Sequence, residues 1–137
     1  MVVMIVDGQG GGVGRALTAG LKKLLPYTQI IAVGTNSIAA SAMKKAGADV
    51  AATGENAVKV NARKADIIAG PLGIIAADAL YGEITAEMAN AISASDAWKV
   101  LVPFSNCQIS VAGCGGKSSA ELIAEALQII ADKVKNG

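Results

Sequence analysis

A three-layer α/β sandwich on a mostly parallel sheet is the fold class this sequence predicts, and three observations carry it. Val2 to Val6 is an unbroken apolar run, the mark of a strand covered on both faces. It leads through Asp7-Gly8-Gln9-Gly10-Gly11-Gly12-Val13-Gly14 into a stretch with leucines at 17, 21, 24 and 25, one apolar face of a helix. Apolar strand-like runs and amphipathic helical stretches then alternate along the chain, which places helices on both faces of the sheet.

The elements follow in order. The first helix is expected from Gly12 or Val13 to Leu25, stopped by Pro26. Gln29 to Val33 is the second strand. Asn36 or Thr35 caps a helix reaching Ala46, with Gly47 as its left-handed stop. Asp49 to Ala52 is a short third strand, and Thr53-Gly54-Glu55-Asn56 opens a third helix through Lys64. Asp66 to Ala69 is the fourth strand, and Gly70-Pro71-Leu72-Gly73 turns into a helical stretch ending near Tyr81-Gly82. A further helix, capped by Thr85, runs to Ser93, and Lys99 to Pro103 is the fifth strand. After Phe104-Ser105-Asn106, the alternation of Cys107, Ile109 and Val111 with polar or small residues predicts an antiparallel edge strand to Ala112. The last helix spans Ser118 to Val134. Right-handed crossovers give the strand order 3-2-1-4-5, with the sixth strand at the edge.

Composition bounds the function. The 137 residues make one domain, 1–137, large enough to bury a core without disulfides or metals. Hydrophobic residues are 53% and aromatics only 3%, so the core is built from Ala, Val, Ile and Leu. Small residues also leave apolar helix faces for a second copy, and a homo-oligomer is expected. A net charge of +1 with scattered lysines and arginines offers no basic stripe for nucleic acid. No apolar run approaches the roughly 18 residues of a membrane span, and the start has no basic region ahead of an apolar stretch; no signal peptide and a cytoplasmic location are expected. Cys107 and Cys114 with no histidine do not make a zinc site, and each is expected as a buried, reduced thiol.

The glycine turn carries the functional signal. Glycines let the chain turn sharply and let an anion reach the N–H groups that open the next helix. The spacing G-x-G-x-x-G fits Gly8 and Gly10 but fails at Val13, whereas G-x-x-x-G-x-G fits Gly8, Gly12 and Gly14, with Arg-Ala-Leu following. The second pattern resembles the cofactor loop of the short-chain dehydrogenase/reductase family. That family's Tyr-x-x-x-Lys has no counterpart, because Tyr27 is followed four places on by Ile31 and Tyr81 by Thr85.

Over most of its length, through Asp7-Gly8-Gln9-Gly10-Gly11-Gly12, Gly34-Thr35-Asn36, Ala52-Thr53-Gly54-Glu55-Asn56 and Gly70-Pro71-Leu72-Gly73-Ile74, the chain resembles a family of small single-domain Rossmann-like bacterial proteins of unknown function. This resemblance implies a fold and no activity. A third pattern, the Asp-x-Asp of the haloacid-dehalogenase phosphatases, is broken by Gln9.

In such a sheet ligands bind beyond the carboxyl ends of the strands, at the reversal between strands one and four. The sequence places there Asp7 with Gly8, Gln9, Gly10, Gly11, Gly12, Val13 and Gly14, then Thr35, Asn36 and Ser37, Thr53, Glu55 and Asn56, Gly70, Pro71 and Gly73, with Ser105 and Asn106 after strand five. A nucleotide, most simply a dinucleotide such as NAD(P), is the expected ligand, with Asn36 near its ribose. Strand two ends Gly34-Thr35-Asn36 without the carboxylate that holds an NAD ribose, which counts against NAD in particular and is compatible with NADP, a mononucleotide or a small phosphorylated metabolite. Arg15, on the first turn of the next helix, is placed either to balance an added phosphate or to stand in solvent.

Asp7 is the awkward residue. A carboxylate before a phosphate loop repels its ligand unless it bonds the loop's own amides or holds a cation. Two alternatives follow: a small enzyme acting on a phosphorylated metabolite through Asp7 or Glu55, and a regulatory or assembly subunit with a structural glycine loop. Glu55 and Glu83 are the carboxylates best placed for acid–base work, but no catalytic set is identified. Gly116-Lys117-Ser118 imitates the end of a P-loop, yet position 111 is Val instead of Gly, and Ser118 with Glu121 reads as a capping box. Cys114 between Gly113 and Gly115 lacks a histidine to activate it.

Overall fold

The opening apolar run is the central strand. In a computed structural model that describes residues 1–103 and 108–137, β1 (Val2–Asp7) is paired in parallel on both edges. One neighbour is β2 (Gln29–Gly34), in the register Val2 to Gln29 through Asp7 to Gly34. The other is β4 (Ile67–Pro71), with Val3 opposite Ile67. β3 (Val50–Thr53) and β5 (Trp98–Val102) complete a five-stranded, all-parallel sheet in the order β3-β2-β1-β4-β5. Val3, Met4, Ile5 and Val6 are all 0% exposed, the physical reason the run carries no polar alternation.

Successive residues of β1 feed opposite layers. Val3 and Ile5 pack with Leu17 and Leu21 of α1 (Gly12–Leu24), Ala39 and Met43 of α2 (Ser37–Lys45), and Ala126 and Ile130 of α5 (Ser119–Asn136). Met4 and Val6 pack with Val58 and Ala62 of α3 (Glu55–Ala62) and with Met88 and Ile92 of α4 (Ala86–Ser93). The caps follow the sequence: Ala39 N donates to Asn36 Oδ1 at 2.8 Å, Met88 N to Thr85 Oγ1 at 3.1 Å, and Ser118 and Glu121 form a reciprocal capping box. Gly47 takes the left-handed stop after α2 with φ 121°. Among the described residues, no helix is long and apolar enough to cross a membrane.

Three expectations are corrected. Gln108 to Ala112 form no strand, and Cys107, with Phe104, Ser105 and Asn106, lies outside the described residues. The alternation there has no face to bury: Ile109 and Val111 remain 41% and 42% exposed, and the chain turns at Gly113 and Gly116, both with positive φ. The helical stretch after β4 is reduced to a 3₁₀ turn, Leu72–Ile75, because Asp78, Leu80 and Tyr81 all take positive φ and interrupt any helix. Cys114 is half-buried and unpaired instead of buried.

Candidate functional site

The glycine loop ends β1 at the point where the strand order reverses. Above it lies a cavity of about 370 Å³, within the size range of small-ligand sites. Gly8 to Val13 form one wall, Pro71, Gly73 and Leu80 the next, and Ser119 and Ile123 of α5 the third. A larger groove of about 750 Å³ between α3 and α4 mixes Lys59 and Arg63 with Glu87 and Asp96; it adjoins the amino ends of β4 and β5, opposite the carboxyl ends where the loop cavity lies.

Asp7 fastens the loop from below. Its side chain is 4% exposed, and it accepts from Gly8 N at 2.8 Å and from Gly14 N at 2.7 Å, one bond to each oxygen. The Val13 amide leans on the same group. Burial pushes the Asp7 carboxyl above its ordinary value; the Gly14 and Gly8 bonds oppose that shift, and the charge of Glu83 adds to it. Asp7 therefore meets the first of the conditions under which a carboxylate can precede such a loop. It is also a helix cap: the Gly14 amide is one of those that open α1 without an intrahelical acceptor.

The loop's amides divide into two groups. Those of Gly8, Gly14, Gln9 and Gly11 are tied internally, the last two to Glu83 Oε1 at 2.8 Å and to Gly8 O at 2.9 Å. Among the described residues, no acceptor engages the amides of Gly10 and Gly12. The steric division is similar. A methyl at Gly8 would lie 2.7 Å from Thr35 Oγ1 and 2.9 Å from both Glu83 Oε1 and Leu80 Cδ1, and one at Gly14 would press Met43 and Asp7. At Gly10 or Gly12 a methyl would meet nothing within 4 Å among the described residues.

Glu83 is the residue the sequence reading underrated. Its Oε1 accepts from Gln9 N at 2.8 Å, Thr35 Oγ1 at 2.5 Å and Asn36 Nδ2 at 2.9 Å, and Asn36 Nδ2 also donates to Gln9 O at 3.0 Å. Partial burial disfavours its charge, but the bonds from Gln9, Thr35 and Asn36 together hold its carboxyl below the ordinary value. A carboxylate thus stands at the end of β2 after all, delivered by the segment that follows β4. Two residues on, Thr85 Oγ1 donates to Glu55 Oε1 at 2.5 Å, which lowers the Glu55 carboxyl. Glu55 therefore positions the start of α4.

The predicted site residues separate accordingly. Gly8, Gln9, Gly10, Gly11, Gly12, Val13 and Pro71 line the cavity. Gly14 lies beneath it, and Thr35 and Asn36 are occupied by Glu83. Thr53 is exposed at the end of the edge strand β3, and Gly70 is needed because a side chain there would collide with the Val6 carbonyl. Leu80, Ser119 and Ile123 were missed; all three come from distant segments, and a local pattern carries no signal for them. Among the described residues, no cluster of three or more His, Cys, Asp or Glu side chains is disposed to hold a metal ion.

With this geometry in place, comparison with known proteins assigns the chain. Residues 2–135 match a family described as a domain of unknown function, DUF3842, and the chain belongs to that family. No curated protein matches it.

Proposed function

We propose that this DUF3842 protein binds a nucleotide through its phosphates in the cavity over the glycine loop. The observation that supports the reading is the pair Gly10 and Gly12: among the described residues their amides are unengaged and a side chain at either would meet open space, and both face a cavity at the sheet's reversal point. Glycine at a packed position has a structural reason, whereas glycine at a position with no neighbour lets something outside the chain approach the backbone. The start of α1 adds its dipole to these amides. Asp7 also borders the cavity, but each of its oxygens accepts from a loop amide, which offsets part of the repulsion it would exert on a phosphate.

The test is a thermal-shift panel of NAD, NADP, ATP, coenzyme A and inorganic phosphate on the wild type and Gly12→Ala. A bound nucleotide at about 100 times its Kd raises stability by roughly 2.7 kcal/mol, a shift of several degrees for a domain of this size. The substitution should abolish that shift and leave the unliganded melting temperature within about 2 °C. No shift with any compound at millimolar concentration, or an undiminished shift in the variant, overturns the reading.

A further inference from the structure

We infer that residues 76–85 form a self-occluding strap, with the Glu83 carboxylate occupying the place of an anionic ligand group between the end of β2 and the segment after β4. The inference rests on the nucleotide reading above and concerns the opposite side of the same loop. There the chain ends of β1 and β2 bring together three donors, Gln9 N, Thr35 Oγ1 and Asn36 Nδ2, and all three converge on one oxygen, Glu83 Oε1. A set of donors aimed at one point is complementary to any oxyanion. This set is filled from within the chain, by a residue 74 positions from Gln9.

The strap is built to leave as a unit. Asp78 N donates to Ile84 O and Ile84 N to Ala79 O, while Gly82 N and Glu83 N turn back to Asp78 O and Leu80 O. Its backbone polar groups are thus satisfied largely inside the strap itself. It also stores strain: Asp78, Leu80 and Tyr81 hold φ of 66°, 56° and 55°, conformations that non-glycine residues keep only when their surroundings impose them. At the tip Tyr81 is 92% exposed, while Ala79 and Leu80 pack, partly buried, against the core layer of Met4, Val58 and Met88, and Ile84 at the base is 0% exposed and serves as the hinge-side anchor. Leu80 belongs to both places, lining the loop cavity and pressing on Gly8. A ligand phosphate that takes the three donors puts one of its oxygens where Glu83 Oε1 stood, and the strap lifts with Leu80, widening the cavity toward β2.

Two measurements test this, with inorganic phosphate as the probe. Titration calorimetry should show Glu83→Ala binding phosphate on the order of tenfold more tightly than the wild type. Glu83→Gln, which keeps a neutral acceptor on the same donors and guards against a folding defect in the alanine variant, should fall between them. Amide exchange of the unliganded proteins should be about tenfold faster across 76–85 in Glu83→Ala than in the wild type. Equal phosphate affinity in wild type and Glu83→Ala, or unchanged exchange in the strap, overturns the inference. If nucleotides still bind in a Gly12-dependent way, that failure belongs to the strap alone. Absence of both phosphate binding and any nucleotide shift removes the two readings together.

Discussion

Gly8 and Gly14 on one side, and Gly10 and Gly12 on the other, are the same residue in one loop for opposite reasons. The first pair is glycine because Thr35, Leu80, Glu83, Met43 and Asp7 crowd the space a methyl would take. Around the second pair, among the described residues, no atom lies within 4 Å of where a methyl would be. The difference teaches that a glycine-rich loop is not a single signal: its inner members pack the loop onto the sheet, and only its outer members are available to a ligand. Asp7 enforces the division by holding Gly8 and Gly14 from beneath.

The largest effect should come from removing that clamp. Asp7→Ala leaves the Gly8 and Gly14 amides without acceptors, one of them at the start of α1, and should cost about 2–4 kcal/mol in urea denaturation, since each unsatisfied buried amide costs roughly 1–3 kcal/mol. A loss under about 1 kcal/mol would show that the loop does not depend on Asp7. Next comes Gly14→Ala, which overpacks against Met43 and should cost roughly 1–3 kcal/mol. Equal stability of Gly14→Ala and Gly12→Ala would erase the inner–outer distinction.

A smaller effect separates the two carboxylates by pH. The Asp7 carboxyl is raised in the folded protein, so its contribution is fully present below the ordinary value of 3.8 and declines as pH rises through the folded pKa. The Glu83 carboxyl is lowered, so its contribution is present above 4.5 and is lost as pH falls through the folded pKa. Stability profiles of Asp7→Asn and Glu83→Gln should therefore deviate from the wild type in opposite directions. The Glu83 contribution should stay within about 1 kcal/mol because the group is partly exposed to solvent. Deviations of the same sign would contradict these assignments. The smallest effect is expected at Gly12→Ala, within about 0.5 kcal/mol of the wild type in the absence of ligand.

Much of the architecture was legible because its causes are local. Val2 to Val6 had to be an interior strand, Asn36, Thr85 and Ser118 carry the side-chain oxygens that cap helices, and the alternation of elements together with right-handed crossovers leads to the observed order. Local causes also misled. Cys107 to Ala112 alternates like an edge strand, but Ile109 and Val111 find no surface to cover. The stretch after Gly73 was expected to be helical, whereas contacts made by Leu80 and Glu83 far along the chain are associated with a left-handed backbone there.

The candidate site divides along the same line. Its glycine floor and the dilemma of Asp7 could be read from seventeen residues, because strand, turn and helix are contiguous and a carboxylate beside backbone amides has few options. Its walls could not. Glu83 reaches Gln9 across 74 positions and Asn36 across 47, and Ser119 and Ile123 come from the last helix. By itself the sequence determined a parallel sheet, its order and a loop able to expose amides. Only the tertiary structure decided which amides remain exposed, since that depends on which distant side chains arrive to claim them.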